Sequence, residues 1–326
     1  MQEAEGEPLA ILDKPDDREH AVPLLIVEAG HAAEFVWEEF FIGRIRNIHT
    51  RRAYLHAVRR FLEWTERRKV DLARITPGLV GQYFDEVEGS TPTKKLYLAA
   101  IRAFFDALVQ RHVVVLNPAL SVRNERYSVV EGRTPEITVD QARKLLASIE
   151  PKSVVDLRDR ALIATLIYTA ARAGAVAKLR LKDFADEGTQ CLLKFAEKGG
   201  KARSIPVRAD LQDYLDRYVL AGNLEGDSKD APLFRTAAGR SAKLSVRALN
   251  GVDICRLFKR RLRAAGLPPS LSPHSARSCA ATDLLLQGVA LEDVQYLLGH
   301  SDSRVTKLYD RRQKRVTRNI VERISV

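Results

Sequence analysis

Cysteine is scarce in this chain, and the few present are badly placed for crosslinking. Among 326 residues there are three, Cys191, Cys255 and Cys279, scattered and without CxxC or Cys/His ligand spacing. That pattern argues against a disulfide framework and against a zinc site, and no metal ligand set is read anywhere. Long hydrophobic runs are missing too. The longest uncharged aliphatic stretch, AVPLLIV at residues 21–27, is short and contains a proline, and the extreme N-terminus is acidic. Neither a membrane span nor a secretory signal is read, so a reducing cytoplasm without a membrane partner is the expected setting. Internal repeats and low-complexity tracts are absent. A content of 45% hydrophobic and 29% charged residues excludes collagen-like, mucin-like and wholly disordered classes.

What is present in excess is positive charge. Lys and Arg total 53 against 42 Asp and Glu, a net +11. Residues 1–34 run the other way, with nine acids against Lys14 and Arg18, which leaves 51 basic and 33 acidic side chains on the remainder, a surplus of 18. A folded body with such a surplus predicts a polyanionic partner, held chiefly through counterion release from a phosphate backbone.

The length predicts two domains. Residues 1–32 read as an acidic tail or strap. From 33 to 123 the apolar residues recur at three- and four-residue steps: Phe35, Trp37, Phe40 and Phe41, then Tyr54, Val58, Phe61 and Leu62. Thr76-Pro77 has the form of an N-cap followed by proline at the first helical position. In TPTKKLYLAAIRAFFDALVQRH, Tyr97, Ile101, Phe104, Phe105 and Leu108 share one face, and the basic Lys94, Lys95, Arg102 and Arg111 lie across the other. This is a small all-helical domain whose aromatic residues are core. Residues 124–136, NERYSVVEGRTPE, lack periodicity and read as a linker.

The second domain, 137–326, opens with Thr138 and Gln141 in capping-box positions. A long apolar helix, RDRALIATLIYTAARAGAVAKLRL, is followed by a change of period from about 3.6 to 2. In TQCLLKFAEKGGKARSIPV, Cys191, Leu193 and Phe195 alternate, with Gly199-Gly200 at a turn. That is a hairpin, and the remainder returns to helix. The fold class is therefore mainly α with a small antiparallel β-sheet.

Two further stretches carry chemistry. In SLSPHSARSC, Ser272 caps a helix and Pro273 opens it, so His274 and Arg277 lie three apart at the positive end, a geometry that holds an oxyanion. In LLGHSDSRVTKLYDRRQKR, one phenol, Tyr309, stands between His300 and a basic tract. A free phenol is a poor nucleophile at neutral pH and needs cations and a base beside it.

Taken in order, these segments resemble the tyrosine recombinases, the phage integrases and chromosomal dimer-resolving enzymes. YTAARAGAV resembles the family's T-G-x-R-x-x-E box and puts its arginine at Arg172. EKGGKARSIPV resembles the hairpin G-K-G-x-K-x-R-x-h-P, with the lysine at Lys198. HSAR matches H-x-x-R at His274 and Arg277, and LLGHSDSRVTKLYD matches L-G-H-S followed nine residues later by the tyrosine, giving His300 and Tyr309. Two departures stand out: Ala175 replaces the acidic residue of the first box, and the glycine before its arginine is read as Ala171.

The resemblance implies a helical core-binding domain and a mixed α/β catalytic domain closing as a clamp on duplex DNA at an inverted-repeat site, with a homo-tetramer forming on two sites. It implies a monomer or weak oligomer when free, an accessory directionality protein, and nucleoid association. Tyr309 would attack the scissile phosphate, with His274 as base, Arg172 and Arg277 as clamps, His300 as a hydrogen-bond donor and Lys198 as the acid for the departing 5′ oxygen. No metal, cofactor or ATP is implied. Lys94, Lys95, Arg102, Lys201, Arg203, Arg311 and Arg312 are expected at the DNA. Val316, Ile320 and Ile324 would form an apolar stripe docking on a neighbouring protomer. The competing readings are a type IB topoisomerase-like activity and a DNA-binding protein of the same fold with impaired catalysis, the latter motivated by Ala175.

Overall fold

The computed structural model describes residues 21–124, 135–196, 202–239, 241–300 and 302–309. The chain divides into two compact units, 1–128 and 129–326.

The first unit is helical. Helix α1 spans Leu24–Glu28, α2 His31–Glu38 with a wider π-type continuation over Glu39–Arg44, α3 Ile48–Glu66, α4 Pro77–Glu86 and α5 Thr91–Gln110. Local chemistry sets the starts. The Asn47 side chain accepts from the His49 and Thr50 amides, Thr76 caps α4 with Pro77 at its first position, and Ser90 caps α5. Trp37, Phe40, Phe41 and Phe104 meet with centroids 4.6–5.8 Å apart, the spacing of edge-to-face and offset aromatic pairs. Ordered packing starts inside the segment assigned to the tail, because Leu25 and Ile26 of α1 are buried in this core.

The second unit is built on α7, Val154–Tyr168, which follows α6, Val139–Ala147. Thr138 and Gln141 form the expected capping box. Helix α7 is buried all round from Ala161 to Ile167, which is why no amphipathic stripe marks it in the sequence. Its expected continuation to Leu181 fails: the helix stops at Tyr168, Ala170 takes a left-handed φ of +50°, and a short α8 runs over Ala173–Val176. Strands β1 (Phe184–Asp186), β2 (Cys191–Ala196) and β3 (Ala202–Pro206) form one antiparallel sheet, with Phe195 opposite Arg203. After α9 (Ala209–Ala221), a second, two-stranded sheet pairs β4 (Arg235–Ala237) with β5 (Leu244–Ala248). That pair corrects the expectation of unbroken helix: its strands are short, and Val246 is 84% exposed, so no alternation betrays it. Helices α10 (Gly251–Ala264), α11 (Pro273–Leu286), α12 (Leu291–Leu298) and α13 (Ser303–Lys307) complete the described part.

One ionic knot ties α7 to α10. Asp159 is fully buried; its Oδ1 accepts from Arg158 Nε and Nη2 at 3.0 and 2.6 Å, and its Oδ2 from Arg260 Nη2 and Arg261 Nε, both at 2.7 Å. Arg261 also reaches Asp156 at 2.6 Å, and Arg158 Nη1 donates to the Arg235 carbonyl at 2.8 Å, which adds β4 to the knot. Removing the shared carboxylate leaves a buried guanidinium uncompensated. Asp159→Ala is therefore expected to cost about 3–5 kcal/mol in denaturant unfolding of the second unit; a loss below about 1 kcal/mol would show the knot to be dispensable.

Candidate active site

The break after α7 is where the site begins. Arg277 is the fifth residue of α11 and is 1% exposed, unusual for a guanidinium. Its Nη1 donates to the Ala170 carbonyl at 2.6 Å, and its Nη2 donates both to the Leu298 carbonyl and to His300 Nε2, the latter at 2.8 Å. Its Nε is buried with no hydrogen-bond partner among the described residues.

Three separate backbone features aim these groups. Ala170 presents its carbonyl from the left-handed conformation. Aligning T-G-x-R on Thr169–Arg172 puts the motif's glycine at Ala170, not at Ala171 as the sequence reading had it, and φ of +50° explains why glycine suits that place. Leu298 ends α12, where a left-handed Gly299 (φ +60°) leaves late carbonyls free to accept. His300 follows at once; its Nδ1 lies 2.9 Å from Thr306 Oγ1, and its carbonyl accepts from Gln295 Nε2 at 3.0 Å.

Tyr309 closes the arrangement. Its hydroxyl lies 3.5 Å from His274 Nε2, and its ring stacks on His300 with centroids 6.0 Å apart and planes 13° apart. The ring belongs to a small apolar cluster of Ala170, Ala281, Leu285, Val294 and Leu298, separate from the main core of the unit. Arg172, at the N-terminus of α8, is exposed, and its guanidinium forms no hydrogen bond or ion pair among the described residues. The half-buried Ala175 supplies no carboxylate to neutralise it. Helix α8 is anchored in the core of the unit by the fully buried Val176, with Leu179 buried just beyond it.

The electrostatics follow from this concentration of cations. Burial, then Arg277 and Arg172, push the His300 imidazole down to about 4. Partial desolvation, then the same two arginines, lower His274, although solvent reaching its ring moderates the effect. Burial and the neighbouring Arg172 push Arg277 down to about 10, still fully charged at neutral pH. Both imidazoles are therefore neutral there, and His274 has a free lone pair to offer Tyr309. An anion entering the site would offset the same repulsion.

Of the expected site residues, the structure brings Arg277, His300, His274 and Tyr309 into one network, and Arg172 acts electrostatically on the first three. Lys198, Lys201, Arg311, Arg312, Val316, Ile320 and Ile324 lie outside the described residues. The expected basic face of α5 is redirected. Arg102 Nε donates to the Ala119 carbonyl at 2.9 Å and its Nη2 to that of Val122, and Lys94 Nζ donates to the Phe84 carbonyl at 2.8 Å, so both brace their own unit. Lys95 is exposed. Arg203 is turned inward by strand alternation beside Ile205, 5% exposed, with its guanidinium 5.6 Å from the Phe195 ring centre, and its charge adds to the field at Arg277 and His300. Two exposed stripes were missed: His49, Arg52, His56 and Arg60 on α3, and Arg256, Lys259, Arg260 and Arg263 on α10. Spacing of the basic residues at three and four would have revealed both.

Comparison with known proteins agrees with the architecture. The pattern of the phage integrase family matches residues 135–315, and that of the phage integrase N-terminal SAM-like domain matches 37–112. The chain belongs to the phage integrase family. Tyrosine recombinase XerD of Ralstonia nicotianae is 33% identical over 172 residues, covering 52% of this chain and 53% of the relative. Tyrosine recombinase XerC of Pelobacter propionicus is 30% identical over 178 residues, covering 53% and 54%. The chain thus spans about half the length of the curated relatives it matches. Among solved structures, XerH site-specific recombinase bound to palindromic difH substrate in a post-cleavage complex superposes with TM-score 0.66 at 21% identity, covering 82% of this chain and 78% of that one. A lambda integrase dimer bound to a COC' core site gives TM-score 0.62 at 21% identity, covering 86% and 77%. At that identity these two likenesses establish the fold.

Two measurements probe the site's construction. Left-handed alanine costs about 1–2 kcal/mol, whereas Ala170→Gly would lose a buried methyl worth about 0.8 kcal/mol and add about 0.5–1 kcal/mol of chain entropy. The expected result is near-neutral stability for Ala170→Gly. Ala170→Val, β-branched at positive φ, should cost more than about 2 kcal/mol. Equal unfolding midpoints for wild type and the valine variant would contradict the strained turn. The second measurement is of pH. His300, near its ordinary value when unfolded and lowered to about 4 when folded, contributes stability that is complete above the unfolded value and is lost as pH falls toward 4. His300→Gln should therefore lose less stability than wild type across that interval; parallel melting curves would refute the shift.

Proposed function

We propose that this chain is a site-specific tyrosine recombinase that cuts and rejoins duplex DNA through a 3′-phosphotyrosine bond. The observation that carries the reading is the Tyr309 hydroxyl 3.5 Å from His274 Nε2, beside a guanidinium locked to His300. In this scheme Tyr309 Oη bonds to phosphorus as the P–O5′ bond breaks. Neutral His274 takes the phenolic proton, and Lys198 protonates the departing 5′ oxygen. Arg172 and Arg277 stabilise the nonbridging oxygens, which is most of what phosphoryl transfer asks of a protein. The phosphotyrosine conserves the energy of the phosphodiester, so rejoining to another 5′ hydroxyl needs no ATP.

In the same reading, residues 33–123 form a core-binding domain, 124–136 a linker and 137–326 the catalytic domain, the acidic segment 1–32 preceding them. The exposed basic stripes of α3 and α10 follow the backbone of the duplex, and Lys95, Lys201, Arg311 and Arg312 add phosphate contacts. The working assembly is a homo-tetramer on two inverted-repeat sites, a monomer or weak oligomer without DNA, with an accessory protein setting direction. The protein acts in the cytoplasm at the nucleoid. Among the described residues no helix is long and apolar enough to cross a membrane.

The test uses nicked half-site duplexes, built on the sequence that footprinting identifies in DNA beside the coding region. Wild type is expected to form a covalent adduct that is absent in Tyr309→Phe. Arg172→Gln should slow adduct formation by about 10²–10³-fold, as loss of an oxyanion donor does. DNA that is bound tightly but never joined to wild-type protein would favour a binding protein of the same fold.

A further inference from the structure

His300 has both ring nitrogens engaged, and the partners are not interchangeable. Nε2 faces Arg277 Nη2 at 2.8 Å, and Nδ1 faces Thr306 Oγ1 at 2.9 Å. A guanidinium has donors only, so Nε2 must be the acceptor in that bond. A neutral imidazole that accepts at Nε2 carries its hydrogen on Nδ1, which then donates to the Thr306 hydroxyl. An imidazolium would instead point N–H at N–H inside a cluster of cations, which the burial of the site also opposes. Thr306 is fully buried and stands one turn before Tyr309, whose amide donates to the Thr306 carbonyl at 3.0 Å.

From this geometry we infer that Thr306 is a positioning residue for DNA cleavage: its hydroxyl holds His300 in the Nδ1–H form, and His300 Nε2 in turn orients Arg277. Every hydrogen of Arg277 Nη2 is then committed, to Leu298 and to His300, and one of Nη1 to Ala170. The Nε–H is buried and without a partner among the described residues. His300 thereby acts first as an acceptor that aims the arginine, which differs from the donor role implied by family resemblance. Because Thr306 and Tyr309 share one turn, the side chain that sets the arginine and the phenol that attacks are delivered by the same piece of backbone.

The inference rests on the recombinase reading for its effect on rate, but its structural half can be read without DNA. Long-range ¹H–¹⁵N spectra of the labelled full chain, with the ring assigned by its loss in His300→Gln, should show the His300 proton on Nδ1 and Nε2 bare at neutral pH. A proton on Nε2 overturns the inference whatever the DNA experiments give. In cleavage of saturating nicked duplex, Thr306→Val should slow adduct formation by about 10²-fold, the penalty of a misplaced catalytic group. Duplex affinity should change less than about twofold, since Thr306 is buried away from the backbone contacts. Thr306→Ser, which keeps the hydroxyl, should recover most of the rate, and its spectrum should match wild type. A folded Thr306→Val that cleaves at the wild-type rate, or a serine variant as slow as the valine one, also overturns it. If wild type forms no adduct at all, the recombinase reading fails while the spectrum still decides the orientation of the ring.

Discussion

A guanidinium buried to 1% exposure is costly unless acceptors receive its hydrogens, and the second unit is arranged around that demand at Arg277. The chain meets it without any carboxylate. Two backbone carbonyls and one imidazole nitrogen receive three of its five hydrogens, drawn from the break after α7, the end of α12 and the turn that follows it. Carbonyl dipoles solvate the cation but do not cancel its charge. The site therefore keeps a full positive charge inside the protein, a state suited to attracting an anion. A carboxylate partner would have given a more comfortable ion pair and a weaker anion site.

The surrounding architecture makes that arrangement rigid. Helix α7 is packed on all sides, so the position of Ala170 at its end is set by the main core of the unit. The Asp159 knot fixes α10 to α7, and the buried Val176 ties α8, with Arg172 at its start, to the same core. The apolar patch under Tyr309, by contrast, is small and separate from that core. Scaffold and Tyr309 thus rest on different amounts of buried surface. The Arg277 side of the site is anchored deeply and the Tyr309 side lightly, so local opening is expected first around Tyr309.

Arg172, His274, Arg277, His300 and Tyr309 were legible because each sits in a short local pattern whose spacing survives without any knowledge of the fold. Helix caps at Thr76, Thr138 and Ser272 were legible for the same reason: the signal lies within four residues. What could not be read depends on tertiary direction. Arg203 looks like any hairpin cation until strand pairing turns it inward, and Arg102 looks like a DNA ligand until the loop at Ala119 and Val122 folds back onto it. Thr306 is an ordinary helical threonine in sequence; only the return of the chain beside His300 gives its hydroxyl a meaning. The β4–β5 pair escaped because its solvent-facing side carries Val246 where a polar residue would have marked the alternation.

The Asp159 knot has a bearing on how this protein can be handled. Exposed lysines and arginines facing a polyanion are screened by added salt within a few ångströms, whereas charge pairs sealed in the interior feel very little of it. Concentrated sodium chloride should accordingly screen the exposed cations long before it loosens the interior. The Arg158–Asp159 pair, 3% and 0% exposed, should therefore stay fastened at ionic strengths that screen the exposed basic residues.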